Sequence, residues 1–222
     1  MNRDIGAGRR VVVVEDDPLT RGLLAEMLEN HAFEVATAST ANDARRAVRL
    51  SDADGLVLDV DLGIGPTGFD IADALLATYP HLAVLFLTNL PDSRFAGRDP
   101  NSLPLGIGYL RKENLADASM LVTTLDAVLR GKVSEDMRHD RDPDRPMAGL
   151  SRTQIDVLRM VALGLSNQDI ADARGTTVRA VRNVITRALE AIGTTDADEG
   201  HGRVVAARNF MLAAGIPLTD KS

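Results

Sequence analysis

VVVVEDDP, residues 11–18, is an unbroken β-branched run that ends in three acids and a proline. Continuous apolar residues of this kind form strands covered on both faces, which is the habit of parallel sheets. Asp17 can cap, and Pro18 can begin, a helix whose apolar stripe is Leu23, Leu24, Met27 and Leu28. The alternation continues. Strands are predicted near 33–37, 56–58, 82–87 and Tyr109, with helices over 40–50, 69–78 and 115–130. That is a (βα)5 pattern, an α/β fold with a parallel five-stranded sheet. In such sheets function gathers at the carboxyl ends of the strands.

The remaining composition limits the possibilities. With 222 residues, 45% apolar and 26% charged, the chain has the profile of a globular protein of one or two domains. No apolar run approaches the roughly 18 residues of a bilayer helix, the start lacks a secretory pattern, and no cysteine is present. The expectation is a cytoplasmic protein without disulfides or thiolate metal sites. The net charge of −7 is uneven: residues 1–130 hold 12 basic and 19 acidic side chains, whereas residues 150–222 hold 9 and 8. Between them KVSEDMRHDRDPDRPMAG (132–149) is almost free of apolar residues and reads as a flexible linker. The predicted organisation is a domain at 1–131, a linker at 132–149 and a domain at 150–222.

The predicted strand ends carry a consistent chemistry. The first runs into Glu15 and Asp16, the third into Asp59, the fourth into Thr88, and Lys112 follows the fifth. Crowded carboxylates need a cation, and oxygen ligands without His or Cys select a hard ion such as Mg²⁺. Beside Mg²⁺ and the Lys112 ammonium, Asp59 can hold a phosphoryl group to which the Thr88 hydroxyl donates. Singly, each residue reads as a solvated loop or a helix cap; the joint pattern is what points to chemistry.

The motifs VVVVEDDP, GLVLDVDL (55–62), VLFLT (84–88) and GYLRK (108–112) resemble the receiver domain of two-component response regulators, over nearly all of 9–131. The resemblance implies a flavodoxin-like fold, phosphorylation of Asp59 by a histidine kinase, and Mg²⁺ held by Glu15, Asp16, Asp59 and the backbone carbonyl of Asp61. It also makes Thr88 and Tyr109 the switch pair, whose ring turns inward when the hydroxyl moves toward phosphate. Three departures stand out. The loop after Asp59 is about one residue longer than the family's, with Gly63 where proline is common; Glu113 follows Lys112 where many receivers have proline; and NLPDSRFAGRDPNSLPLGIG (89–108) replaces the fourth helix with a stretch broken by Pro91, Gly97, Pro100 and Pro104. A short, distorted or mobile element is expected there, in a region that usually helps form the phosphorylation-dependent dimer face.

In the tail, Ser151 can cap a helix bearing Ile155, Leu158 and Val161, and Ser166 with Asp169 makes a variant capping box for a short helix closed by Gly175. Two helices joined so tightly form a helix-turn-helix. In the next helix, 177–192, a step of 100° per residue gathers Arg179, Arg182, Asn183, Thr186, Arg187 and Glu190 on one face and Val181, Val184, Ala188 and Ile192 on the other. Val178, Arg179 and Arg182 are candidates for base or groove contact, Asn183 and Arg187 for phosphates. GLSNQDIA (164–171), LSRTQIDVL before it and Val181–Asn183 after it resemble the LuxR/NarL/FixJ output domain. This implies a small all-α four-helix domain that binds promoter DNA as a homodimer, its last helix (203–214) at the dimer contact. The acidic loop 194–202 is expected to face away from DNA.

The combined expectation is a regulator, not an enzyme. Two rivals remain: a regulator whose receiver dimerises or senses a ligand without phosphorylation, and a Mg²⁺-dependent aspartyl-phosphate phosphatase, whose DxD pattern Asp59-Val60-Asp61 matches except that Gly63 replaces Thr or Val and no cap domain is evident.

Overall fold

The valine run lies in β1 (Arg10–Val14) of the computed structural model, which describes residues 4–63, 65–115, 117–194 and 201–216. Its partners are β2 (Glu34–Ala38), β3 (Gly55–Leu58), β4 (Ala83–Thr88) and β5 (Gly108–Arg111), all parallel, in the order β2-β1-β3-β4-β5. Strand order therefore reverses at β1, and the crevice outside the ends of β1 and β3 lies at that reversal. The register aligns Val14 with Leu58 and Leu58 with Phe86, bringing the ends of neighbouring strands level.

Successive side chains point to opposite faces. Val11, Val13, Val57, Leu85, Leu87 and Leu110 form one buried layer with Leu24 and Leu28 of α1 (Pro18–Glu29) and Leu121, Leu125 and Val128 of α4 (Ala118–Leu129). On the other face lie α2 (Ala41–Ser51) and α3 (Gly68–Thr78), where Phe69 meets Phe86 edge-on at 4.8 Å. Asp17 caps α1 by accepting from the Thr20 N–H at 2.7 Å, and Pro18 opens the helix. The expected stripe on α1 is narrower than its sequence, because Leu23 is 48% exposed while Leu24 and Leu28 are buried.

Two compact units divide the chain: Met1–Asn89 with Leu103–Asp140, and Leu90–Ser102 with Arg141–Ser222. The stretch expected as a flexible linker is thus shared between them. In the first unit, Arg138 bridges to Tyr109 in parallel, the Arg111 N–H donates to His139 Nδ1 at 3.0 Å, and a buried Arg138–Asp140 ion pair closes at 2.7 Å. The outer edge of β5 is thereby partly covered. The region expected to hold a broken fourth helix contains, among the described residues, only the 3-10 turns Ser93–Ala96 and Pro100–Ser102.

The second unit contains α5 (Arg152–Ala162), α6 (Asn167–Arg174), α7 (Val178–Ala191) and α8 (His201–Ala213). Capping boxes at Ser151/Gln154 and Ser166/Asp169 fix the starts of α5 and α6. Gly175, at φ 60°, turns the chain out of α6 in the left-handed region, so that α7 follows after a tight turn. Ile155, Leu158, Ile170, Val181, Ile185, Leu189 and Phe210 are among the side chains of one buried cluster.

Candidate functional site

At the carboxyl end of the sheet, ligand atoms of Glu15, Asp16 and Asp59 lie within 4.8 Å of one another. Glu15 and Asp59 are buried and Asp16 is exposed. Lys112, which follows β5, places Nζ 2.6 Å from Glu15 Oε2 and 2.6 Å from Asp59 Oδ2. The Thr88 hydroxyl hydrogen-bonds to Asp59, and the Asp61 N–H donates to Asp59 Oδ1 at 3.2 Å. Sequence reasoning assembled Glu15, Asp16, Asp59, Thr88 and Lys112 from separate strand ends, and the fold brings them to one place; Asp61, which the resemblance added through its carbonyl, places its N–H on Asp59.

Burial dominates the electrostatics. It pushes the carboxyls of Asp59 and Glu15 above their ordinary values, against the opposing pull of Lys112. For Lys112 burial alone would lower the ammonium, yet the Asp59 and Glu15 carboxylates outweigh it and hold its pKa raised. Three carboxylates face one ammonium, so the cluster retains negative charge. The donor set is all oxygen and converges from two strand ends and a loop, which fits a hard divalent cation. The loop after Asp59 stays near, since a Cβ at Gly63 would lie 3.8 Å from Asp16 Oδ2.

Two positioning residues escaped the sequence reading. Arg21, one turn into α1, donates from Nη1 to the carbonyls of Glu15 at 2.7 Å and Asp16 at 3.0 Å, fixing the acidic loop. Gly68, the first residue of α3, bonds its N–H to Val60 O at 2.9 Å, and a Cβ there would lie 2.0 Å from Asp59 O. Arg21 had a visible signal in its spacing from the acids; Gly68 had none. Tyr109 is fully buried, its ring 6.2 Å from that of Phe86.

On the second unit, α7 exposes Arg179, Arg182, Asn183, Thr186, Arg187 and Glu190, while Val181, Ile185, Ala188 and Leu189 are buried. The helix is about 21 Å long at roughly 1.5 Å per residue, enough to lay two turns along a groove. Val178 packs partly against the core, leaving less of it to face outward than the sequence suggested. Arg174 pairs with Asp156 at 3.5 Å and so stands apart from the arginines of α7. Most of the acidic loop 194–202 lies outside the described residues.

Residues 11–98 match the response regulator receiver domain family. The first unit is similar to response regulator receivers, and α6 and α7 of the second unit make a helix-turn-helix. It is 28% identical over 197 residues to the virulence factors putative positive transcription regulator BvgA of Bordetella pertussis, covering 84% of this chain and 91% of that one. It is 27% identical over 198 residues to the DNA-binding transcriptional activator DevR/DosR of Mycobacterium tuberculosis, covering 83% and 88%. Among solved structures, RcsB from Salmonella enterica serovar Typhimurium, bound to promoter rprA with the phosphomimetic BeF3⁻, shares the fold at TM-score 0.57 and 16% identity, over 91% of this chain and 98% of that one. No helix among the described residues is long and apolar enough to cross a membrane.

Proposed function

We propose that the chain is a transcription factor of the cytoplasm, switched by phosphorylation of Asp59 by a histidine kinase and acting on promoter DNA as a homodimer. The observation that carries this reading is the Lys112 ammonium bonded at 2.6 Å to both Glu15 and Asp59 inside one acidic cluster. An Asp59 carboxylate oxygen attacks the phosphorus of a phosphohistidine whose other ring nitrogen is protonated; the P–N bond breaks, its electron pair stays on nitrogen and the ring leaves as neutral imidazole, giving an acyl phosphate. Lys112 balances the added charge, and the Thr88 hydroxyl donates to a phosphoryl oxygen. Glu15, Asp16, Asp59 and the Asp61 carbonyl would hold Mg²⁺, which offsets negative charge on the phosphoryl oxygens. The same residues could support a phosphatase, but turnover of small phosphoesters is not expected from a chain whose relatives carry the names of transcription regulators.

Mg²⁺ should raise thermal stability. A ligand at 100 times its Kd stabilises by about 2.7 kcal/mol, a shift of several degrees for a chain of this size. Asp16→Asn should remove most of that shift in a melting titration. Because Asp59 and Glu15 have raised pKa values, folding takes up protons around and above the ordinary carboxylate range. Metal-free stability therefore falls as pH rises through that window. Protons compete with the metal, so the Mg²⁺ gain should begin to fade on acidification before ordinary carboxylates protonate.

The exposed face of α7 supports DNA contact through Arg179, Arg182, Asn183 and Arg187. Arg182→Ala should cost about 1 to 3 kcal/mol in affinity, roughly 5- to 150-fold, if it reaches a base. An unchanged Kd by fluorescence anisotropy removes it from the interface. A second reading, regulation without phosphate, is favoured by the missing helix between β4 and β5. DNA affinity measured with and without beryllofluoride and Mg²⁺ separates the two: a response supports the switch, and identical affinities support the rival.

A further inference from the structure

Two turns of α2 carry charge of one sign. Arg45, Arg46 and Arg49 are exposed, and among the described residues none of them closes an ion pair. The acids of this stretch are engaged elsewhere: Asp43 accepts from the Thr40 hydroxyl at 2.9 Å, and Asp52, just past the helix, pairs with Arg10 at 3.0 Å. Arg45 and Arg49 stand one turn apart and repel each other with no counter-ion between them. This happens within residues 1–130, where acids outnumber bases 19 to 12. A helix face that is merely solvated mixes its signs.

The same arginines border a cavity of about 360 Å³ between α2 and α3, and sites for small molecules begin at roughly 300 Å³. Asn42 completes the wall on the α2 side, and Leu75, Thr78 and Tyr79 stand on the α3 side. No carboxylate lines it. Asp70 is bonded to Thr67 in the capping box of α3, and Asp73 is not part of the wall. Leu75 is buried and gives an apolar floor, while Tyr79 is half-buried with its ring edge-on to that of His81 at 6.4 Å. One side of the cavity is therefore cationic and the other apolar and aromatic.

We propose that this cleft between α2 and α3 is a nucleotide site, with the phosphates on Arg45, Arg46 and Arg49 and the base against Leu75 and Tyr79. Guanidinium forks match phosphate oxygens in pairs. A ring system uses an apolar and aromatic wall, which an inorganic anion has no need of. A DNA duplex fits less well, because it is convex and the acid-rich surroundings repel a long polyanion.

The test is fluorescence titration of the full chain with N-methylanthraniloyl-ADP in EDTA, which strips Mg²⁺ and leaves the Glu15–Asp16–Asp59 cluster repulsive to phosphate. Saturable binding is expected, and ADP should displace the probe. Adenosine and inorganic phosphate should each do so at least about tenfold less well, since each lacks one set of contacts. Arg45→Ala with Arg49→Ala should weaken the probe about tenfold or more, the ordinary effect of losing hydrogen bonds to a charged group. That variant should melt no lower than the parent without nucleotide, because it relieves a like-charge pair on an exposed face. Tyr79→Leu should narrow the gap between ADP and phosphate. Arg179→Ala with Arg182→Ala, on α7, should bind as the parent does. The site is overturned by the absence of saturable binding, by full affinity in the Arg45 and Arg49 variant, or by loss of binding in the α7 variant. Phosphate that displaces the probe as well as ADP does would reduce it to an adventitious anion site, and duplex DNA that competes through Arg45 and Arg49 would make it a nucleic-acid contact; either result refutes the nucleotide.

Discussion

Asp59→Asn should take up no acid-labile phosphate from acetyl phosphate or a kinase, whereas the wild-type chain should approach one phosphoryl group per molecule. The amide retains the size of the carboxylate but lacks the anionic oxygen that attacks phosphorus. It also removes one of the two carboxylates that bind Lys112, leaving the ammonium on Glu15. Phosphate-affinity gels before and after acid treatment give the result, and stoichiometric label on the variant would refute the site.

Gly68→Val is the second large effect. A Cβ at this position would lie 2.0 Å from Asp59 O, 2.9 Å from Asp59 C and 2.9 Å from Val60 Cα. All three are backbone atoms, so no side chain can rotate away; either α3 or the Asp59–Val60 backbone must move. Overpacking of this kind costs about 1 to 3 kcal/mol, and a 1 Å misplacement of reacting groups costs about 100-fold in rate. The expected outcome is a variant that melts several degrees lower and labels on the order of 100-fold more slowly. Gly68→Ala should show the same direction. Normal labelling kinetics in both would mean that the start of α3 does not position Asp59.

Much of this was legible because local signals agreed with the global fold. The run at 11–14 and the acids after it fixed β1 and its exit, and the angular reading of α7 separated Arg179, Arg182 and Asn183 from Val181 and Ala188. Legibility failed where a tertiary partner overrules local character. Leu90–Ser102 reads correctly as a broken helix, yet nothing local says that Phe95 finds its partner in Phe210 of the last helix. Residues 132–149 look solvated, but Arg138, Asp140 and Arg145 are satisfied by specific ion pairs, and polar side chains can be buried when paired in this way. Gly68 was invisible because its role is defined by the approach of another backbone.

The chain passes between its two units at Asn89–Leu90, Ser102–Leu103 and Asp140–Arg141. This has a consequence for engineering. A chimera taking only residues from Arg141 onward would leave behind Phe95, Asp92 and Arg94, and would expose the Phe210 face while stripping Arg145 of its carboxylate. A transplanted reader therefore keeps its packed core only if Leu90–Ser102 travels with it.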